Sequence, residues 1–388
     1  MRQLSIRFTQ LNCFPKYSKS LIVVFLVFTV NKTHGQCNPQ ATLETKNLLK
    51  SLSTIWQIGI MLGHQDALAY GLTETGQRWI ATGTDYSDIH SITGQHPAVV
   101  GHDLGYIELK LDKNLDGVLF EHIRQSIIAT YQRGGVNTVS WHPNNPLDLS
   151  KTSWDSTENT IPAILNNVEN RDIYLGQLDV LAAFFKSLKT PDDLWVPVIF
   201  RPFHEHTGSW FWWGADYCTP EEYKEFWRLT VEYLQRKQVN NLLFCYSTDY
   251  FNDERHYLER YPGDDYVDIL GFDAYHRNAP ESNFDFISDV RRMGSVLKKL
   301  GQEKKKPWAL TETGLEQVTE SAWWSAVLLE AVKDSGLSYV LVWRNGRPDH
   351  YYAPYPGHPS SDDFKKVVEE GKFLLENAVR SVRLYQSN

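Results

Sequence analysis

Eight stretches of the chain carry apolar residues in unbroken runs instead of alternating with polar ones. They are IGIMLGHQD (58–66), AVVGHDLG (98–105), VNTVSWHP (136–143), VPVIFRPFHE (196–205), NLLFCYSTD (241–249), VDILGFDAY (267–275), WALTETG (308–314) and YVLVWRNG (339–346). A strand that is apolar at successive positions is buried on both faces, as in a parallel sheet covered by helices. Helical patterns lie between these runs: FEHIRQSIIATYQRGG (120–135), DVLAAFFKSLK (179–189), PEEYKEFWRLTVEYLQRK (220–237), ISDVRRMGSVLKKLG (287–301) and SAWWSAVLLEAVKDSG (321–336). Thr219-Pro220-Glu221-Glu222 is a helix start, with a capping Thr, Pro at the first position and early acids. In the last segment, DDFKKVVEEGKFLLENAVRSVRLY, apolar residues at 364, 367, 368, 374, 375, 378 and 382 read as one helical face.

Eight strand-then-helix units predict an α/β fold, a (β/α)₈ TIM barrel in a single domain. An open doubly wound sheet is the alternative, but it would carry a glycine-rich phosphate turn after the first strand. Met61-Leu62-Gly63-His64-Gln65-Asp66 is no such turn. Ahead of the barrel, Arg2, Arg7, Lys16 and Lys19 precede the apolar run LIVVFLVFTV (21–30). That run is far short of the ~20 residues that span a bilayer, and with the small Gly35 after it reads as a secretory signal. The expected organisation is therefore a signal segment over 1–36 and one barrel domain over 37–388. Export to the periplasm or the medium follows, with lipid attachment at Cys37 as a variant of the same route. Of the four cysteines, Cys13 departs with the signal. Cys37, Cys218 and Cys245 remain, an odd set without a CxxC pair, which fits neither a disulfide scaffold nor a zinc cluster. Buried free thiols are expected, with a single bridge as the alternative.

A barrel of this kind carries its functional groups at the C-terminal strand ends. Polar residues follow the apolar runs there: His64, Asp66, Asp103, His142, His204, Glu205, Asp249, Asp273, Tyr275, Glu312, Trp343 and Arg344. The 13 Trp, 20 Tyr and 18 Phe supply flat apolar faces, suited either to a large core or to sugar rings. A net charge of −8 argues against a nucleic-acid partner. No G-x-S-x-G, no phosphate loop and no HExxH helix is present. His204 and His206 could point the same way from a strand, but no further ligand pair accompanies them, so neither metal nor cofactor is expected. Two carboxylates remain. Glu205 ends the fourth strand and Glu312 the seventh, which face each other across the mouth of a closed barrel. Cleavage of a glycosidic bond needs such a pair, one protonated and one ionised.

Here the residues match a family. RPFHEHTGSWFWWG resembles the acid/base segment of family 26 glycoside hydrolases, best known as β-mannanases, and LTETG resembles their nucleophile segment. GHQDALAYG, GGVNTVSWHPNNP, GFDAYH and VWRNG look like further blocks of the same family in the same order, over residues 55 to 360. The resemblance implies a (β/α)₈ barrel and a retaining mechanism, with Glu205 as acid/base and Glu312 as nucleophile. It places His204 and Tyr275 against the nucleophile or the sugar beside it. Trp210 falls next to the cleavage point, Trp343 under the sugar as a platform, and Arg344 further into the glycone side. His142 and Asp273, on matching strand ends, are expected to bind substrate hydroxyls. Trp212 and Trp213 are divided between core and loop support, and His64, Asp66 and Asp103 fall behind the site. On the long loop after the third strand, Trp154 is expected to stack a glycone sugar. Lys151 would narrow the non-reducing end, favouring release of mannobiose. The activity implied is a secreted, monomeric endo-β-1,4-mannanase acting on mannan, galactomannan or glucomannan without a cofactor or a membrane span. The same machinery acting on mixed-linkage β-glucan or β-1,3-xylan is the alternative. A non-catalytic sugar-binding barrel is the remote one, since such a protein usually loses a catalytic carboxylate.

Overall fold

Each of the eight apolar runs forms a strand. In chain order they are β1 (Ile60–Gln65), β2 (Val99–Asp103), β3 (Val136–Trp141), β4 (Val198–Pro202), β5 (Leu242–Thr248), β6 (Ile269–His276), β7 (Trp308–Leu315) and β8 (Tyr339–Val342). The computed structural model describes residues 36–386. The expected signal segment, apart from Gln36, and Cys13 lie outside the described residues. Every strand pairs in parallel with the next, and β8 pairs with β1 through Met61 opposite Tyr339, so the sheet closes into a barrel. Helices Phe120–Arg133, Val168–Ser187, Pro220–Arg236 and Asn283–Lys304 cover it. Thr219 and Glu222 form the capping box that starts the third of these, worth about 1 kcal/mol.

The base of the barrel is closed by side chains from successive strand starts. Met61, Val99, Val136, Ile199, Leu243, Ile269, Ala309 and Leu341 form one buried apolar cluster. Leu48 and Leu52 of the helix Leu43–Leu52 close it from beneath, together with Leu374, Val379 and Leu384. One irregularity matters at the other end. The β6–β7 register slips between Phe272 and Asp273, so that Phe272 faces Leu310 while Asp273 faces Glu312. Such a bulge re-aims side chains next to a site.

The structure corrects the reading of the tail. Instead of one long helix it forms the helix Ser361–Glu369, a two-residue strand β9 (Phe373–Leu374) and the helix Glu376–Val382. Gly371 ends the first helix at φ +68°, where the Lys372 N–H bonds the Val367 carbonyl. This is the αL stop that glycine permits. Phe373 and Leu374 then bury themselves as a parallel strand against Ile60 and Met61. The segment 321–336 is also less regular than expected, with a π turn at Trp324–Leu328 before a short α-helix, Leu329–Val332. The hairpin Tyr70–Leu72 with Arg78–Ile80 has no counterpart among the predicted strands. All three described cysteines are buried and unbridged. Among the described residues no helix is long and apolar enough to cross a membrane.

Candidate active site

Arg201 lies inside an apolar strand, only 2% exposed. A guanidinium in that position needs anionic partners. Its Nη1 donates to Asp273 Oδ2 at 2.8 Å, and its Nη2 donates to Glu312 Oε1. The Tyr275 hydroxyl donates to the other Glu312 oxygen at 2.8 Å. Glu312 is thus held on both oxygens by donors. Asp273 also accepts from Thr311 at 2.6 Å and from Ser247 at 3.1 Å. It is fully buried and off the cleft wall. The bulge that sets it beside Glu312 makes it an anchor for Arg201; it does not bring it to the substrate space.

After β4 the chain turns sharply. Phe203 and Glu205 both take left-handed backbone, at φ +48° and +53°, at a cost of order 1–3 kcal/mol each. Three donors hold the turn. Tyr223 donates its hydroxyl to the Phe203 carbonyl at 2.9 Å. Trp213 Nε1 reaches the His204 carbonyl at 2.8 Å, and the Glu205 amide reaches the Ser247 carbonyl at 3.0 Å. Trp212 donates to the Pro143 carbonyl at 3.0 Å. Both indoles are fully buried, so the paired tryptophans serve as core and as loop support together.

The turn aims Glu205 at Glu312. Glu205, Asp273 and Glu312 each place an oxygen within 4.8 Å of the other two. Burial, reinforced by the charges of Asp273, Glu312 and Asp249, pushes the Glu205 carboxyl well above the usual range; Arg201 opposes this more weakly. One guanidinium cannot neutralise three carboxylates, and Arg201 bonds Asp273 and Glu312. Glu205, the one of the three without a guanidinium contact, is thereby set up to hold a proton, although burial also raises Asp273, to about 7. Three clustered carboxylates also resemble a cation site, but the guanidinium already bridges two of them and supplies the positive charge. Trp210 Nε1 donates to Glu205 Oε2 at 2.9 Å.

Around the pair opens a cleft of about 460 Å³. Its walls are His142, Trp154, His204, Glu205, Trp210, Phe211, Asp249, Tyr250, Tyr275, Arg277, Glu312 and Trp343. Trp154 and Trp210 remain 51% and 39% exposed, open faces that a sugar ring can cover. His142 lies flat against Trp154, ring centroids 5.0 Å apart. Both of its nitrogens are engaged, Nδ1 with Asp103 Oδ2 at 2.6 Å and Nε2 with His204 Nε2 at 3.1 Å. Its expected hydroxyl-binding donor is thus already committed.

Arg344 pairs with Asp116 at 2.6 Å and bonds the Tyr70 hydroxyl at 3.2 Å. Like Asp273, it is not on the wall. Lys151 is exposed on its loop and also off the wall. Arg201, Phe211, Tyr250 and Arg277 complete the site without having been singled out in the sequence. Of these only Arg201 left a signal, a permanent charge inside an apolar run.

A closed parallel barrel with two opposed glutamates at its mouth is the arrangement glycoside hydrolases use. Residues 37–312 match the profile of glycosyl hydrolase family 26, and the chain belongs to that family. It is 43% identical to a family 26 β-mannanase from Bacteroides ovatus, whose structure superposes with a TM-score of 0.84 over 89% of this chain and 98% of that one. A mannan endo-1,4-β-mannosidase of Bifidobacterium adolescentis is 30% identical over 86% of this chain and 35% of its own length. One from Bacillus subtilis is 25% identical over 86% and 90%. The chain thus spans about a third of the first curated relative.

Proposed function

We propose that the protein is a retaining endo-β-1,4-mannanase. The observation that carries this reading is the pair of glutamates whose surroundings oppose each other. Glu312 receives donors on both oxygens, whereas Glu205 stands among like charges. Glu312 attacks the anomeric carbon while Glu205 passes its proton to the leaving oxygen. A glycosyl ester forms on Glu312. Glu205, now ionised, takes a proton from water, and the resulting hydroxide displaces Glu312 with the β-configuration restored. Their oxygens approach within 4.8 Å. That is close to the ~5–5.5 Å of retaining pairs and short of the ~6.5–9.5 Å that leaves room for an inverting water.

The polymer is read from the family 26 relatives named as mannanases. Trp343 and Trp210 supply rings for the sugars on either side of the bond, and Trp154 one for a glycone sugar further along. Mannobiose release rests on the Trp154 loop alone, since Lys151 stands off the wall. Action outside the cytoplasm, as a monomer, completes the reading.

Product analysis by mass and anomeric NMR tests it, with β-mannan, mixed-linkage β-glucan and xylan supplied side by side. Cleavage of mannan with β-anomers appearing first is expected. Cleavage of glucan or xylan alone would keep the two glutamates and discard the substrate. Initial α-anomers would overturn the mechanism.

A further inference from the structure

Leading back from the cleft wall, three side chains form a row: His204 and His142 on the wall and Asp103 behind them. Asp103 accepts from the Gly105 amide, the Ser140 hydroxyl and His142 Nδ1, each at 2.6 Å. Three short donors hold a carboxylate ionised. Beyond it, His142 Nε2 and His204 Nε2 lie 3.1 Å apart, and two imidazole nitrogens at that distance share one proton. If His204 carries it, His142 is neutral and the buried Asp103 charge has no ionic partner. If His142 carries it, the two form a compensated ion pair.

We infer that His142 works as an imidazolium maintained by Asp103, that it donates Nε2–H to His204 and thereby fixes the His204 proton on Nδ1, and that Asp103 is a positioning residue for the reaction. The inference rests on the proposed roles of Glu205 and Glu312 only for its effect on turnover.

The charges around His142 agree, while the His204 Nδ1 finds no acceptor among the protein's own groups. Burial lowers the affinity of His142 for its proton, but the Asp103 charge and hydrogen bond raise it, Glu312 adds to them, and Arg201 opposes; the net displacement is upward. Asp116 also acts on it from further off. His204, driven well down by burial and then by Arg201 and His142, stays neutral. Trp154 and Phe211 cover the His142 ring. His204 directly precedes Glu205, so the direction of the shared proton sets the ring orientation beside the acid/base. When His142 loses its proton at high pH, the hydrogen bond must reverse.

Long-range ¹H–¹⁵N spectra of the substrate-free protein test this directly. One imidazole, assigned by its absence in His142→Gln, should remain doubly protonated above the ordinary value of ~6.5. In Asp103→Asn that titration should move down by one unit or more. The alkaline limb of kcat for an aryl mannobioside whose leaving group needs no proton should move with it. A neutral His142 at pH 7 in the unaltered protein, or a titration that Asp103→Asn leaves in place, would overturn the inference. The unaltered protein decides even if the variant does not fold. The spectra need no substrate, so a failed cleavage assay beside an intact imidazolium would count against the proposed function and not against this pairing.

Discussion

At the base of the barrel, Met61, Val136, Ile199, Leu243 and Ile269 meet Leu48 and Leu52 in an apolar cluster. At the mouth of the same strands, Arg201, Asp273 and Glu312 bury three charges together, and Asp66, Phe203 and Glu205 hold left-handed backbone. The base stabilises the fold through burial at ~25 cal/mol per Å². The mouth holds groups in states that water would not favour. One sheet serves both because a strand only a few residues long separates the two tasks.

Substitutions can break that division or sharpen it. The largest effect is expected from Glu312→Ala, with turnover falling about 10⁴–10⁶-fold and the thermal midpoint shifting by no more than ~2–4 °C. A large loss of stability in calorimetry would show that the mouth also carries the fold.

Glu205→Gln comes next, at ~10²–10⁴-fold on polymer, with a much smaller loss on aryl glycosides whose leaving group needs no proton. This residue also carries a pH signature. Its folded pKa is raised, so its contribution to stability is fully present below the unfolded value of ~4.3 and is lost as pH rises through the folded value. The glutamine variant should therefore gain midpoint relative to the parent at pH 7 and show no such gain at pH 4. Equal gains at both pH values would place the proton elsewhere.

At the base, Leu48→Ala should cost about 2–5 kcal/mol of unfolding free energy and leave kcat unchanged wherever the protein remains folded. A changed kcat would couple the two ends. Tyr275→Phe is expected to be the mildest, removing one donor from a charged oxygen. At ~1.5–3 kcal/mol that is a ~10–100-fold loss in kcat. An unchanged rate would mean that Arg201 alone holds the nucleophile.

The division also explains what the sequence discloses. All eight strands are legible because their apolar runs are continuous, and Glu205 and Glu312 because strand ends in a barrel converge. The direction of a side chain at such an end is not legible. Asp273 sits two positions before Tyr275 and should share its face, yet it lies behind the wall, where a one-residue slip in the β6–β7 register pairs it with Glu312. Arg344 directly follows the cleft residue Trp343 but turns to Asp116. His142 is legible as a wall residue, but its partners come from β2 and the end of β4, far away in the chain. The tail misleads for a local reason: its spacing suits a helix, and a single glycine breaks it.

Near the underside, the two ends of the described chain are stitched together. Ser51 donates to the Leu384 carbonyl at 2.9 Å and Asn47 to that of Tyr385 at 3.0 Å, while the Cys37 amide is tied to Asp268 at 2.7 Å. A bead, a lipid or a second module joined at Gln36 or Gln386 would stand behind the catalytic face. An enzyme immobilised in that way would present its open side to an insoluble fibre and graze it without turning round.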